Sequence, residues 1–213
     1  MDIYCISGLG ADRRAFQFLE INNKLIHIEW LTPIKNESLS DYSRRLSQQI
    51  NTKEPFVLLG LSFGGIVACK IATFLKTEKV ILLSSITDKK HLPLVLRLIG
   101  KTGIHKIVPA AWLNPPMNIA YWFFGVKKEK SKQLLKEIFK ATDQQFLKWA
   151  IGILLSNEEI IAPENVIRIH GTNDRLLPLV NRAGVHKIEG GGHFMVIEQA
   201  AEVSEKINRL FLI

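Results

Sequence analysis

The 213 residues, 47% apolar and 23% charged, suffice for one α/β domain with a well-buried core and have an ordinary globular balance. No apolar run reaches the roughly 18 residues of a membrane span, which excludes a transmembrane helix. The formal charge of +8 raises nucleic-acid and anionic-membrane readings, which the placement of the charges does not favour. Much of it sits in Lys127-Lys128-Glu129-Lys130-Ser131-Lys132 and the helical pattern that follows. There Leu134, Leu135, Ile138 and Phe139 form an apolar stripe, with Lys136 and Lys140 on the wet side. That is a solvated helix face, and no aromatic–basic interleaving accompanies it. Neither nucleic-acid binding nor stable membrane insertion is expected. Asp2 and a strand at the N-terminus do not resemble a signal peptide, so a cytoplasmic location is expected.

In chain order, Ile3-Tyr4-Cys5-Ile6 predicts a strand running into the turn Ser7-Gly8-Leu9-Gly10. The turn lacks the third glycine of a dinucleotide fingerprint and the lysine of a P-loop, so it is not read as a phosphate cradle. A helix is expected from about Asp12 to Ile21, then a strand over 25–30 and a helix over 39–51. Ser38, with Asp41 three residues later, reads as a capping box opening that helix. Phe56-Val57-Leu58-Leu59 predicts the next strand, and Val67, Ile71, Phe74 and Leu75 recur at helix-face spacing beyond it. Between the two lies Gly60-Leu61-Ser62-Phe63-Gly64. A Gly-x-Ser-x-Gly joining strand to helix projects the serine hydroxyl from the end of a sheet.

Further strands are expected at 80–84, 166–169 and 185–188, and a closing helix runs through Ala200, Val203, Ile207 and Leu210. The alternation predicts a three-layer α/β fold, a parallel sheet of about six strands flanked by helices. Residues 89–160 interrupt it with helical patterns punctuated by Pro109 and Pro115-Pro116. The expected division is therefore a core of 1–88 and 161–213 with a helical insertion at 89–160. Cys5 and Cys69 sit in apolar contexts as buried reduced thiols, and no metal pattern is present.

A serine hydroxyl needs a base, an acid to orient that base and donors for an oxyanion. His170-Gly171-Thr172-Asn173-Asp174 and Glu189-Gly190-Gly191-Gly192-His193-Phe194 each follow a predicted strand. In a parallel sheet those strand ends share one edge with Ser62. Asp174 also suits a plain turn, and His193 a loop, but the three residues together point to a Ser-His-Asp constellation. Asp88, after strand 80–84, is the rival acid, although Lys89 and Lys90 flank it as they would a solvated carboxylate. Backbone amides of Leu9 and Phe63 are the candidate oxyanion donors.

Together, Ser7-Gly8-Leu9-Gly10-Ala11-Asp12-Arg13-Arg14-Ala15-Phe16, Gly60-Leu61-Ser62-Phe63-Gly64-Gly65, Gly171-Thr172-Asn173-Asp174 and Gly191-Gly192-His193-Phe194 resemble the small bacterial α/β-hydrolases. The resemblance spans nearly the whole chain apart from about 90–160. It implies a nucleophile at Ser62, an acid at Asp174, a base at His193 and oxyanion amides at Leu9 and Phe63. Two departures stand out. Ser7-Gly8 replaces the usual His-Gly, so the oxyanion loop is expected to be held differently. The first strand opens at Met1, which implies a sheet without the usual first hairpin.

In this reading 89–160 is a helical cap over Ser62. Trp112, Met117, Tyr121, Trp122, Phe123 and Phe124 are concentrated in it. Each taken singly suits packing of the cap onto the domain. One or two of the group, with Trp112, Tyr121, Trp122 and Phe123 as the candidates, are expected to face an apolar substrate pocket. Of Trp122 and Phe123, at most one is expected to face Ser62 and the other to be buried packing. The expected activity is that of a serine hydrolase, a carboxylesterase acting on small to medium esters with no cofactor or metal. Two alternatives stay open: a lyase or carbon–carbon hydrolase on the same residues, and a ligand-binding module with weak turnover.

Overall fold

A computed structural model describes residues 1–103, 115–156, 158–180 and 184–212. Trp112 and Pro109 lie outside the described residues. Six strands form one sheet in the order β2-β1-β3-β4-β5-β6. They are β1 (Asp2–Ile6), β2 (Leu25–His27), β3 (Phe56–Leu61), β4 (Lys79–Leu83), β5 (Val166–Gly171) and β6 (Val185–Ile188). Every pairing is parallel. Their apolar runs are the reason, since a sheet covered on both faces needs near-continuous hydrophobic strands. All six residues of β3 are buried.

Alternate side chains feed two cores, as the two-residue period of a strand requires. Ile3, Cys5, Val57, Leu59, Ile81 and Leu83 face one of them, shared with Met195 and Val196 of α7 (Met195–Glu198) and with Val203 and Ile207 of the closing helix α8 (Ala200–Arg209). Tyr4, Ile6, Leu58, Val80 and Leu82 face the other. That side is covered by α1 (Leu39–Leu46) and α2 (Phe63–Ala72). Both thiols are buried and free, and burial pushes each up to about 12.

Between β4 and β5 come α3 (Leu94–Thr102), α4 (Met117–Phe124), α5 (Glu129–Ala141) and α6 (Gln144–Leu155). Leu134, Leu135 and Ile138 of α5 join the first core, while Phe146 and Ala150 of α6 join the second. The Lys89 ammonium caps α6, donating to the Ile153 carbonyl at 2.8 Å and the Ser156 carbonyl at 2.7 Å. Burial lowers that amine to about 8.

Three elements are shorter than their patterns predict, for one physical reason. In each, side chains from elsewhere satisfy the backbone groups that a longer helix or strand would have paired. The expected helix from Asp12 to Ile21 is only a 3-10 turn, Arg13–Phe16, capped by the Asp12 carboxylate. Beyond it, Glu20 N–H donates to Ser204 Oγ and Asn22 N–H to Asn208 Oδ1, both on α8. The strand expected over 25–30 stops at His27. The peptide groups of Glu29 bond the Gln49 amide, and those of Leu31 bond the Tyr42 hydroxyl. The helix expected over 39–51 ends at Leu46 and continues as a 3-10 turn, Ser47–Gln49. Asn51 N–H then donates to the Tyr4 hydroxyl. Ser38 does cap α1, accepting from Asp41 N–H at 3.1 Å.

The chain leaves β1 for β2 on one side and returns to β3 on the other. In open α/β sheets such a reversal leaves a crevice at the carboxyl ends of the strands, where ligands bind. Here those ends belong to β1 and β3, the strands leading into Gly8-Leu9 and into Ser62.

Candidate active site

Ser62 sits at φ 52°, ψ −119°, between the last residue of β3 and the first of α2. A non-glycine residue there is strained, and the neighbours hold it in place. Ser62 N–H donates to the Leu83 carbonyl at 2.9 Å, and the Ser85 hydroxyl donates to the Ser62 carbonyl at 2.6 Å. Gly64 has no alternative residue, because a Cβ on it would overlap the carbonyls of Ile6 and Ser7. The helix can therefore start close against the end of β1, which brings the Gly8 loop beside Ser62.

Two further loops complete the row. His193 Nε2 lies 2.9 Å from Ser62 Oγ, and its Nδ1 lies 2.8 Å from Asp174 Oδ2. Asp174 and His193 are both buried, on the loops that follow β5 and β6. Asp174 Oδ1 also accepts from the amides of Leu176 at 3.0 Å and Leu177 at 2.8 Å. Burial alone would raise the carboxyl. The charge of His193 and hydrogen bonds from His170, His193 and Leu177 outweigh it and hold Asp174 well below the usual carboxylate range. An ionised Asp174 can only accept, so Nδ1 carries the proton between them. Nε2 is left to accept from the serine hydroxyl.

Asp88 has a different job. It caps the 3-10 turn Lys89–His91, accepting from Lys90 N–H at 2.8 Å.

The amides of Leu9 and Phe63 stand on the two loops that meet at Ser62. As the first residue of α2, Phe63 has an N–H that the helix itself cannot pair. The Phe63 ring is buried among aromatics, its centroid 6.1 Å from that of Trp30 and 5.9 Å from that of Trp149. The Leu9 loop is held without the usual histidine. Ser7 Oγ donates to the Ala11 carbonyl at 2.6 Å, Trp30 Nε1 to the same oxygen at 3.0 Å, and Thr142 Oγ1 to the Gly10 carbonyl at 2.9 Å. Ser7 thus braces the loop through its hydroxyl.

The aromatics of α4 are arranged differently from the expectation. Trp122 and Phe123 are 56% and 37% exposed and pack edge-to-face on each other, so neither is a buried packing residue. The Arg175 guanidinium lies over the Trp122 ring. Tyr121 packs against the first core. Phe124 is the residue that reaches the constellation, its ring centroid 5.3 Å from that of His193. Two surface hollows lie elsewhere. One of about 500 Å³ opens between Arg14 and Glu137, and one of about 410 Å³ lies between Lys89 and Glu159. Trp122→Ala and Phe123→Ala are each expected to cost at most about 1 kcal/mol, the range of an exposed cation–π or surface contact. Thermal unfolding of the two variants checks this.

Sequence reasoning missed three participants. His170 is buried, with Nε2 2.8 Å from the Leu177 carbonyl and 3.2 Å from Asp174 Oδ2, so its N–H is shared between two acceptors. Its place four residues before Asp174 at a strand end was the available signal. Ser85 carried none, and Phe124 stood only as one of several large rings in 89–160, because which ring reaches His193 is decided by packing between distant segments. Among the described residues, no group of three or more His, Cys, Asp and Glu is placed to hold a metal ion. No described helix is long and apolar enough to cross a membrane.

Comparison with known proteins agrees with this architecture. The profile of the alpha/beta hydrolase family matches residues 4–206. A thermophilic esterase from Thermogutta terrifontis superposes with a TM-score of 0.72 at 13% identity, covering 99% of this chain and 89% of that one. A bromoperoxidase from Bacillus anthracis gives 0.70 at 15%, covering 99% and 91%. A meta-cleavage product hydrolase from Pseudomonas fluorescens IP01 gives 0.68 at 16%, covering 99% and 90%. At these identities the likeness is one of fold. No curated protein matches the chain. The family profile spans nearly the full sequence, and on that ground the chain belongs to the alpha/beta hydrolase family.

Proposed function

We propose that the protein is a serine hydrolase acting on carboxylic esters through Ser62, His193 and Asp174. The observation that carries this reading is the unbroken row from Ser62 Oγ through the His193 ring to the buried Asp174 carboxylate. In the proposed reaction His193 Nε2 takes the hydroxyl proton as Ser62 Oγ attacks the ester carbonyl. Asp174 holds the imidazole in the required tautomer and balances its charge. The amides of Leu9 and Phe63 receive the oxyanion as the tetrahedral intermediate forms. His193 then returns its proton to the leaving alcohol. Water, activated by the same nitrogen, releases the acid and restores Ser62.

The proposal extends to the organisation of the chain, with 1–88 and 161–213 as the catalytic core and 89–160 as a helical cap. The contacts of Thr142 with the Gly10 carbonyl and of Phe124 with the His193 ring support that assignment, because both residues belong to 89–160. The partner is a small-molecule ester, and the cap sets its size.

A panel of p-nitrophenyl esters of graded acyl length, followed by direct detection of the acid produced, tests the activity. Acid release with a defined chain-length optimum, abolished in Ser62→Ala, is the expected result. A Ser62 that reacts with an activated phosphonate while no ester yields acid would move the reading to carbon–carbon bond cleavage on the same residues.

A further inference from the structure

The last turn of α4 touches both loops that carry the constellation, and the contacts repeat a pattern. Arg175, the residue after Asp174, donates from Nη1 to the Trp122 carbonyl at 2.9 Å and lays its guanidinium 4.7 Å from the centre of the Trp122 ring. Phe194, the residue after His193, donates its N–H to the Phe124 carbonyl at 2.9 Å. The Phe124 carbonyl, in the last turn, takes its donor from Phe194, and the Trp122 carbonyl accepts from Arg175 as well as from the Gly125 N–H at 3.3 Å, so both loops are tied to the end of α4. The Phe124 ring stands edge-to-face with the His193 ring, at 5.3 Å and 87°.

The backbones themselves are in contact. Gly125 follows α4 in the left-handed region at φ 69°, and a Cβ on either Gly125 or Gly192 would fall 2.8 Å from the Cα of the other. No larger residue fits at either position without pushing the His193 loop away from the helix.

We propose that the end of α4 is a strut that sets the separation of Asp174 and His193, with Phe124 and Arg175 as positioning residues. The helix is short, and both loops bond to the same turn of it, so neither can drift without breaking a hydrogen bond of that turn. A displacement of about 1 Å in such a site costs about a hundredfold in rate, which makes the contact consequential for chemistry in which Phe124 and Arg175 take no part. Because α4 belongs to the segment proposed as the cap, a substrate that shifts it would shift the acid and the base together. The inference rests on the proposed roles of Asp174 and His193, and its test is independent of any substrate.

The test is the downfield proton resonance of the His193 Nδ1–H···Asp174 hydrogen bond, recorded by NMR in the parent, Phe124→Leu and Arg175→Gln. The rate of Ser62 labelling by a fluorophosphonate and the melting temperature are measured alongside. Phe124→Leu keeps an apolar side chain. Arg175→Gln alters an exposed one, so the test stays readable if the first variant folds poorly. Both folded variants are expected to lose or broaden the resonance and to label about ten- to a hundredfold more slowly, with melting temperatures near the parent. A resonance and a labelling rate unchanged in both folded variants, or no such resonance in the parent, would overturn the strut. If the variants lose the resonance while the parent hydrolyses no ester, the strut stands and only the ester reading falls.

Discussion

Replacing Ser62 with Ala is expected to remove hydrolysis almost entirely, by roughly a million-fold in kcat for a fully working constellation of this kind. The residue that loses its proton and bonds to the acyl group would be gone, so no acyl-enzyme could form. Folding should survive, because the Ser62 backbone is held by Leu83 and Ser85 rather than by its hydroxyl. The variant also isolates the strain at the elbow. Ala keeps the unfavourable positive φ, whereas Ser62→Gly relieves it and is expected to raise stability by about 1 kcal/mol while being equally inactive. Denaturant unfolding of the two variants, beside their ester kinetics, separates the chemical role from the structural one. Activity of Ser62→Ala above about a tenth of the parent would remove Ser62 from the mechanism.

The second large effect is expected at Asp174. Asn there offers an amide to His193 where a carboxylate accepted, which favours the wrong imidazole tautomer and should cost about ten-thousand-fold in kcat. Asp88→Asn should leave turnover nearly unchanged, since Asp88 caps the turn Lys89–His91. Equal losses in the two would contradict the assignment of the acid. The same pair gives a pH signature in stability. Asp174 is held below the usual carboxylate range by His193 and its hydrogen bonds, so it binds its proton less readily folded than unfolded. Its stabilising contribution is present in full above the ordinary carboxylate pKa of about 4 and is lost as the pH falls through the depressed folded value. The gap in unfolding free energy between parent and Asp174→Asn should therefore narrow on acidification below about pH 4.

The sheet was legible mainly from β1, β3 and β4, short apolar runs buried on both faces, where the residue pattern reports burial directly. Ser62, Asp174 and His193 were legible for a different reason. Each sits just after a strand, and a parallel sheet gathers strand ends on one edge whatever the loop conformations. The lengths of the first helix, the second strand and the helix starting at Leu39 were not legible. Ser204 reaches into the first of those segments, Gln49 and Tyr42 into the second and Tyr4 into the third, each from elsewhere in the chain, and no local pattern encodes such bonds. The α4 aromatics failed for a related reason. Trp122, Phe123 and Phe124 are equivalent as a run of large rings. The close packing of Gly125 on Gly192 and the bond from Phe194 N–H to the Phe124 carbonyl bring Phe124 to His193, while Trp122 and Phe123 are exposed.

If His193 activates Ser62 as a nucleophile, an electrophilic phosphonate should be trapped there covalently. The protein is incubated with a fluorophosphonate, its intact mass is measured and the adduct is located by peptide sequencing. The expected result is one adduct per chain, on the peptide carrying Ser62, absent from Ser62→Ala and formed far more slowly in His193→Ala. An adduct that forms equally well in Ser62→Ala, or a parent protein that hydrolyses ester yet takes up no phosphonate at Ser62, would contradict it.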